Sequence, residues 1–232
     1  MKRFYGQVEA VETAGAYGIA LDGKPVRTPG RRVLGLPTRP LAEAVADEWR
    51  HQGDRIETAK MPLTKLANTA IDRTRPQRTQ VIEQIAAYGN TDLLCYRAAA
   101  PPDLAELQRA RWQPLLDWLA AEYGAALLVT ADIAPLEQPN DSLLAIFTAV
   151  AGLDDFELTG LHAATTVSGS VAIGLALSRG RIGAAEGWSL AQLEELYQGA
   201  KWGEDADAAA RRTDIRAAIA AATDFMFLSR PA

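Results

Sequence analysis

The longest stretch without a charged side chain lies in the second half of this 232-residue sequence. Between Glu157 and Arg179, twenty-one residues carry no formal charge, which is long enough in principle for a helix to cross a bilayer. The stretch also contains His162, three Thr residues, and serines on both sides of Gly169. We therefore expect a helix buried in a protein core, with small Gly, Ala and Ser residues that let neighbouring helices pack closely.

The first 36 residues alternate between apolar and polar residues in the manner of β-strands. Three short runs, at 4–11, 17–21 and 24–28, are separated by turn residues. The Asp22–Gly23 pair between the second and third runs is a strong hairpin signal, because both residues tolerate positive φ angles. These patterns predict a small antiparallel sheet.

Helical spacing dominates the rest of the chain. Thr38 is placed to cap a helix that we expect to run to about His51, and residues 63–71 predict a short helix inside an irregular stretch. The remaining predicted elements are helices at about 77–88, 103–123, 139–150, 157–178, 184–201 and 205–228, and extended pieces at 92–97 and 127–130. Pro114 lies inside the second of these helices and is expected to kink it.

The Arg75–Pro76 pair marks the predicted boundary between two parts of the chain, because the residue before a proline disfavours helix. We predict an α+β protein with a small antiparallel β-rich N-terminal domain over residues 1–75. A helical C-terminal domain is expected over residues 76–232.

Charge and composition exclude several classes of protein. Twenty-four basic and twenty-nine acidic residues leave a net charge of −5, whereas nucleic-acid binding requires an excess of Lys and Arg on one face. Met1 is followed almost at once by strand-like sequence, with neither a signal peptide nor a long Arg- and Ser-rich presequence. We therefore expect a cytoplasmic protein with no nucleic-acid partner and no membrane insertion.

Sequence motifs for catalysis, metals and cofactors are missing. Cys95 is the single cysteine and lies in an apolar run, which favours a buried, inert thiol. His51 and His162 are far apart, and no Cys lies near either of them. The Gly-rich run from Ser168 to Gly174 lacks the preceding strand that a dinucleotide site needs. We predict no catalytic, metal or cofactor site.

Carboxylate pairs keep one enzymatic alternative open. Adjacent acids occur at Asp154–Asp155, Glu194–Glu195 and Glu204–Asp205, but acids on an outward helix face stay ionised, whereas a general acid needs a pKa raised by burial. A hydrolase that uses a buried carboxylate in a cleft remains the alternative, since its partners could come from distant segments. A module that binds a small ligand is a third reading, and it requires a concave apolar pocket.

The segment from Leu193 to Arg212 is rich in acids but also carries aromatic residues. Its spacing predicts an amphipathic helix, with Glu195 pointing away from the apolar face and Glu194 and Gln198 flanking that face. The apolar face comprises Leu190, Leu193, Leu196, Tyr197 and Ala200. Gly203 is expected to stop this helix and Asp205 to cap the next one.

Five tryptophans are spread along the chain, and several stand beside acids or amides. Most are expected in the core. One or two left exposed with a polar rim would mark a protein-binding surface.

Several long motifs occur in one order along nearly the whole chain. They are Phe4-Tyr5, Leu21–Pro29, Leu41-Ala with Ala46–Trp49 and Gln52, Met61–Asp72, Tyr88–Arg97, Trp112–Trp118, Gln138-Pro139, Leu193–Gln198 and Trp202–Asp205. Together these motifs resemble the ATP-twelve family of ATP synthase assembly chaperones.

The resemblance implies a non-enzymatic, ATP-independent chaperone. Members of this family bind the unassembled alpha subunit of the F(1) sector and shield its beta-facing surface until the beta subunit replaces them. Mitochondrial members carry a presequence that is missing here, which favours a bacterial cytoplasmic protein, and we expect a monomer. The family pattern makes Glu194 and Glu195 candidate partner-binding residues, and we extend the set to Gln198, Trp202 and Asp205.

Overall fold

The computed structural model describes residues 1–13, 15–132, 134–203 and 205–231. Within these residues a three-stranded antiparallel sheet near the N-terminus is followed by ten α-helices, so the α+β class is confirmed. The chain forms two compact units. The first comprises Met1–Arg78, Asp154–Gly160 and Asp224–Ala232, and the second comprises Thr79–Leu153 and Leu161–Thr223.

The sheet belongs to the first unit. Its strands are β1 (Val8–Thr13), β2 (Ala16–Leu21) and β3 (Lys24–Pro25), in the spatial order β1-β2-β3. Asp22 and Gly23 connect β2 to β3 with φ angles of 47° and 74°. Positive φ at both central residues is the geometry of a type I′ hairpin turn, so the predicted hairpin is confirmed.

The first helix, α1 (Arg39–Arg50), begins at the predicted cap. Thr38 Oγ1 accepts a hydrogen bond from Leu41 N at 3.2 Å. The helix buries Leu41, Ala42, Val45 and Ala46 and packs against β1 and β2. The predicted helix is therefore confirmed, and its apolar side forms the core beneath the sheet.

The second helix, α2 (Pro62–Thr69), is capped by a carboxylate from α1. Glu48 accepts hydrogen bonds from Leu63 N at 2.7 Å, from Thr64 N at 2.8 Å and from Thr64 Oγ1 at 2.7 Å. Burial raises the pKa of Glu48, and these hydrogen bonds act in the opposite direction. The helix continues into a π-helical turn at Ala70–Thr74, so the short helix predicted over residues 63–71 is confirmed.

Two segments that come late in the sequence complete the first unit. Phe156 stacks on Phe225, with 5.9 Å between the ring centroids, and both rings belong to the core that underlies the sheet. Asp155 forms ion pairs with Arg75 and Arg78, each at 3.0 Å. This unit is therefore assembled from three separate stretches of sequence.

The other helices follow along the chain, and no described helix combines the length and the apolar character needed to cross a membrane. Helix α4 is one of the two longest helices, and it continues past Pro114 without a break. Their bounds are α3 (Arg78–Ala87), α4 (Pro102–Tyr123), α5 (Asn140–Ala151), α6 (Asp155–Ser168), α7 (Val171–Ser178), α8 (Ala184–Ala191), α9 (Leu193–Trp202) and α10 (Ala206–Leu228).

The single helix predicted over residues 157–178 is wrong, because α6 and α7 are separate. Gly169 adopts a left-handed φ of 72°, which ends α6. Ser170 then caps α7, its Oγ accepting a hydrogen bond from Ile173 N at 3.0 Å. The Gly-Ser break lies inside the uncharged stretch, and the lack of any charged residue on either side concealed it.

The helix predicted over residues 184–201 is also wrong, because α8 ends before Gln192 and α9 begins after it. Neither Gly nor Pro marks this break in the sequence. The extended piece predicted over 92–97 is mostly a 3-10 turn at Leu93–Cys95. Only Tyr96 pairs in an extended manner, with Thr130 in parallel orientation.

Close packing through small residues is confirmed at Gly174. Every residue of α7 is buried, and a Cβ on Gly174 would lie 2.9 Å from Leu161 Cδ1 and closer still to Thr165 Oγ1. Both neighbours belong to α6. The uncharged stretch is therefore buried within the protein as a pair of tightly packed helices.

We expect Gly174→Ala to destabilise the protein by about 1–3 kcal/mol, because the added methyl group has no space between α6 and α7. Gly199→Ala is the matched control, since Gly199 is also helical but has open space around it. That control should leave stability unchanged or raise it by up to about 1 kcal/mol. Urea denaturation of both variants measures the difference, and equal stabilities would contradict the proposed packing.

Candidate protein-binding site

Helix α9 carries most of the predicted site, and it buries apolar residues only at its beginning. Leu193 is buried, Leu196 and Tyr197 are partly buried, and Ala200 is exposed. The predicted apolar face is therefore buried against the protein only over the first turn of α9. Apolar burial does not anchor the end of the helix.

Polar contacts with α4 hold the second half of α9 in place. Asp103 accepts hydrogen bonds from the Tyr197 hydroxyl at 2.7 Å and from Lys201 Nζ at 2.5 Å. The hydrogen bond from Lys201 is the main cause that lowers the pKa of Asp103 to about 2. Asp103 and Lys201 are solvent-exposed, so the end of α9 is positioned without being covered.

Glu194 points toward the interior and not toward a partner. Its Oε1 accepts a hydrogen bond from Gln108 Nε2, and Gln108 is fully buried on α4. The amide oxygen of Gln108, Oε1, accepts a hydrogen bond from Ala98 N at 2.7 Å. Glu194 therefore completes a chain of hydrogen bonds that links α9 to α4 and to Ala98 within the second unit.

Glu195, by contrast, faces solvent, with a side chain that is 53 % exposed. Its carboxylate lies 3.9 Å from Arg212 Nη1, and the Arg212 side chain is only 8 % exposed. Arg212 is fixed on α10, where its carbonyl oxygen accepts a hydrogen bond from Trp188 Nε1 at 3.1 Å. The loose pairing leaves the Glu195 carboxylate accessible to another molecule.

Trp202 is the one strongly exposed tryptophan among the five, at 74 %. It lies at the end of α9 beside a surface cavity of about 360 Å³, to which four of the five predicted residues contribute. The lining residues are Glu195, Gln198, Gly199, Trp202, Gly203, Asp205, Ala208, Arg211 and Arg212. An exposed tryptophan with a rim of both charge signs is the arrangement that the tryptophan hypothesis required.

The predicted end of α9 and the predicted cap of α10 are both confirmed. Gly203 ends α9 with a φ of 90°. Asp205 caps α10, because its Oδ2 accepts a hydrogen bond from Ala208 N at 3.2 Å. Asp205 thus serves a structural role and still lines the cavity, whereas its neighbour Glu204 lies outside the described residues.

Arg211 and Arg212 are not among the predicted site residues, which are mostly acidic. They lie three and four residues after Ala208, so the three share one side of α10. That spacing, read together with the helix end at Gly203, was the available signal. The cavity therefore combines acidic and basic groups and is not purely acidic.

Buried carboxylates do not support the hydrolase alternative. Asp92 is fully buried, and burial raises its pKa. It accepts hydrogen bonds from Ser170 Oγ at 2.7 Å, from Leu94 N at 3.0 Å and from Ala172 N at 3.1 Å. Neither Asp92 nor the capping residue Glu48 lines either described cavity.

Cys95 is buried, as predicted, and burial raises the pKa of its thiol to about 12. It therefore remains a protonated, unreactive thiol at neutral pH. Within the described part of the chain, no group of three or more His, Cys, Asp or Glu residues is arranged to hold a metal ion.

A second cavity, of about 710 Å³, lies in the first unit. It is lined by Lys2, Arg3, Tyr5, Asp54 and Arg55. Four of these five residues are charged, so it is not the concave apolar pocket that a small-ligand module would need.

Comparisons with known proteins agree with one another. A model of the family described as ATP12 chaperone protein matches residues 2–120. Protein atp12, mitochondrial, from Schizosaccharomyces pombe is 23 % identical over 219 residues, which span 89 % of this chain and 75 % of that protein.

Solved structures are similar over almost the entire chain. The crystal structure of Atp12 from Paracoccus denitrificans is 41 % identical, covers 99 % of this chain and 98 % of its own, and has a TM-score of 0.94. An aspartate-to-lysine mutant of that protein gives the same values. The Atu1473 protein of Agrobacterium tumefaciens is 34 % identical, covers 99 % of this chain and 86 % of its own, and also has a TM-score of 0.94.

The two neighbouring acids are expected to respond differently to charge reversal. Glu194→Lys removes the acceptor of a buried amide and should lower the free energy of unfolding by about 1–3 kcal/mol. Glu195→Lys changes an exposed side chain and should alter it by less than about 0.5 kcal/mol. Chemical denaturation measures both, and equal losses would contradict the inward orientation of Glu194.

The Asp103 contact should make the stability contributed by the α9–α4 connection depend on pH. The folded-state pKa of about 2 lies below the ordinary value of 3.8, so the ionised form stabilises the fold above about pH 4. This contribution is lost as the pH falls toward 2. The melting temperature of the parent should exceed that of Asp103→Asn at pH 6, and the difference should shrink strongly as the pH approaches 2; a constant difference would refute the assignment.

Proposed function

The chain belongs to the ATP12 chaperone family, which acts in ATP synthase assembly, and on this premise we propose that its client is the unassembled alpha subunit of the F(1) sector. The chaperone covers the beta-facing surface of that subunit and releases it when the catalytic head assembles. Trp202, exposed beside a cavity with charged walls, is the single observation that carries the proposal.

The cavity suits a reversible protein contact. An exposed indole is unfavourable in water, and covering apolar area contributes roughly 25 cal/mol per Å². Tryptophan in the centre of an interface is among the residues whose removal most weakens binding. We assign to Trp202 the role of the central apolar contact, with Gln198 next to it on α9 as a hydrogen-bonding group.

Charges at the rim give the contact its specificity. Glu195 and Asp205 are exposed and acidic, and Arg211 is exposed and basic. Such groups accelerate encounter and exclude wrong partners more than they add affinity. Glu194 belongs to the same site as a positioning residue, because it holds α9 through Gln108 and does not face the client.

Release requires no nucleotide in this proposal. The sequence contains no phosphate-binding loop ending in Gly-Lys-Ser or Gly-Lys-Thr. If the beta subunit forms a larger and tighter interface with the same surface of the client, mass action alone displaces the chaperone. The protein acts as a binding protein, with no bond made or broken.

We place the protein in the cytoplasm of a bacterium, as a monomer. Its similarity to Atp12 of Paracoccus denitrificans and to the Atu1473 protein of Agrobacterium tumefaciens, at 41 % and 34 % identity, supports a bacterial setting.

The proposal predicts that the purified protein suppresses aggregation of isolated alpha subunit without ATP, as measured by light scattering. Trp202→Ala should require at least about tenfold more chaperone for the same protection, because the central apolar contact is lost. Glu195→Lys should also require more, by a smaller factor of about threefold, because a rim charge governs encounter more than affinity.

Phe4→Ala is the matched control for Trp202→Ala, since Phe4 is also an exposed aromatic residue but lies in the first unit. It should protect the alpha subunit as well as the parent does. If the Trp202 and Glu195 variants protect equally well while remaining folded, the site assignment is wrong. If the parent gives no protection, the client assignment is wrong.

A further inference from the structure

Basic residues are absent from a long part of the sequence. From Trp112 to Ser178, sixty-seven consecutive residues contain no Lys or Arg but eight Asp or Glu. An even distribution of the chain's 24 basic residues would place about seven there. Any basic group that neutralises an acid of this stretch must therefore come from another part of the chain.

Three acids of this stretch are exposed in the second unit and unpaired. Asp132, Glu137 and Asp141 form no ion pair within the described residues. In the first unit, by contrast, Asp155 and Glu157 of the same stretch are neutralised by arginines. The three exposed acids thus keep their charge available to another molecule.

Helix α5 presents apolar residues beside these acids. Leu144 is 64 % exposed and Phe147 is 38 % exposed, at a spacing that places them on one side of the helix. An adjacent side of the helix packs tightly, since Cδ atoms of Ile146 and Leu143 lie 3.0 and 3.2 Å from the position of a Cβ on Gly89. Because that side is fixed, α5 cannot rotate to hide Leu144.

A segment without regular secondary structure, residues 125–129, lies against the first turn of α5. Ser142 Oγ donates a hydrogen bond to Ala126 O at 2.8 Å. The Gln138 side chain forms two hydrogen bonds with the backbone of Leu128. Its Oε1 accepts from Leu128 N at 2.8 Å, and its Nε2 donates to Leu128 O at 3.0 Å. Leu128 and its neighbour Val129 are both exposed, so they extend the apolar area next to Asp141.

We propose that this region is a second interaction surface, which binds a helical segment of a protein partner that carries apolar residues flanked by Lys or Arg. We call it the acid–apolar surface; it consists of Leu128, Val129, Glu137, Asp141, Leu144 and Phe147. Apolar side chains of the partner helix cover Leu144 and Phe147. Its basic side chains face Glu137 and Asp141.

Charge selects this occupant over others. Phosphate-rich surfaces such as nucleic acids and anionic membranes are repelled by unpaired acids. Two copies of the same acidic surface repel each other, which opposes self-association through α5. The proposal does not depend on which protein is the client of the Trp202 cavity, because the two surfaces have different residues and different chemistry.

The test uses a defined probe and the full chain. A fluorescently labelled 18-residue amphipathic peptide of Leu and Lys is titrated with the protein, and a peptide with Glu in place of every Lys is the control. We expect saturable anisotropy with the Leu–Lys peptide that weakens as salt is raised, and none with the Leu–Glu peptide. Equal binding of the two peptides would overturn the proposal.

Variants localise the binding. Leu144→Ser combined with Phe147→Ser should lower the affinity for the Leu–Lys peptide by at least about tenfold. Glu137→Gln combined with Asp141→Asn should lower that affinity about fivefold and reduce its dependence on salt. All four side chains are exposed, so melting temperatures should stay near that of the parent.

Trp202→Ala and Phe4→Ser are the controls, since both alter exposed aromatic residues elsewhere, and neither should change the affinity. Unchanged affinity in the α5 variants, or a loss seen only in Trp202→Ala, would refute the acid–apolar surface. A dimer in sedimentation that Leu144→Ser dissociates would assign the surface to self-association and would also refute the proposal.

Discussion

The attachment of α9 by polar contacts is the feature on which the candidate site depends. Burial anchors only the start of the helix at Leu193, and beyond it the hydrogen bonds to Asp103 and the Glu194–Gln108 contact fix its direction. A helix anchored by burial throughout would have placed its last aromatic residue in the core. Here the helix is positioned firmly, and Trp202 at its end remains in solvent.

This arrangement fits a protein that binds and then lets go. An exposed indole beside charges of both signs offers a sizeable contact without deep enclosure, so a competing interface can displace it. The buried carboxylates Asp92 and Glu48 cap helices and hold backbone amides. Both acids have raised pKa values because they are buried. Their structural role accounts for that burial without a catalytic function.

Local signals in the sequence predicted local structure well, and long-range packing explains most of the differences. The hairpin at Asp22–Gly23 and the caps at Thr38 and Asp205 depend on a few neighbouring residues, so they could be read directly. The break at Gly169 was hidden by apolar flanks whose burial is a tertiary effect. The linear division at residue 75 likewise did not foresee that the first unit also contains two later segments. At the site, the position of Trp202 close to acids made it a candidate, but the inward orientation of Glu194 depends on Gln108, eighty-six positions away.

Site-specific photocrosslinking to the client tests the central claim most directly. A photoreactive phenylalanine analogue replaces Trp202 in one sample and Phe4 in another, and each protein is illuminated with isolated alpha subunit, with and without beta subunit. The account predicts a crosslink to alpha from position 202 that disappears when beta is added, and none from position 4. Absence of a crosslink at position 202, or one that persists in the presence of assembled alpha and beta, would contradict it.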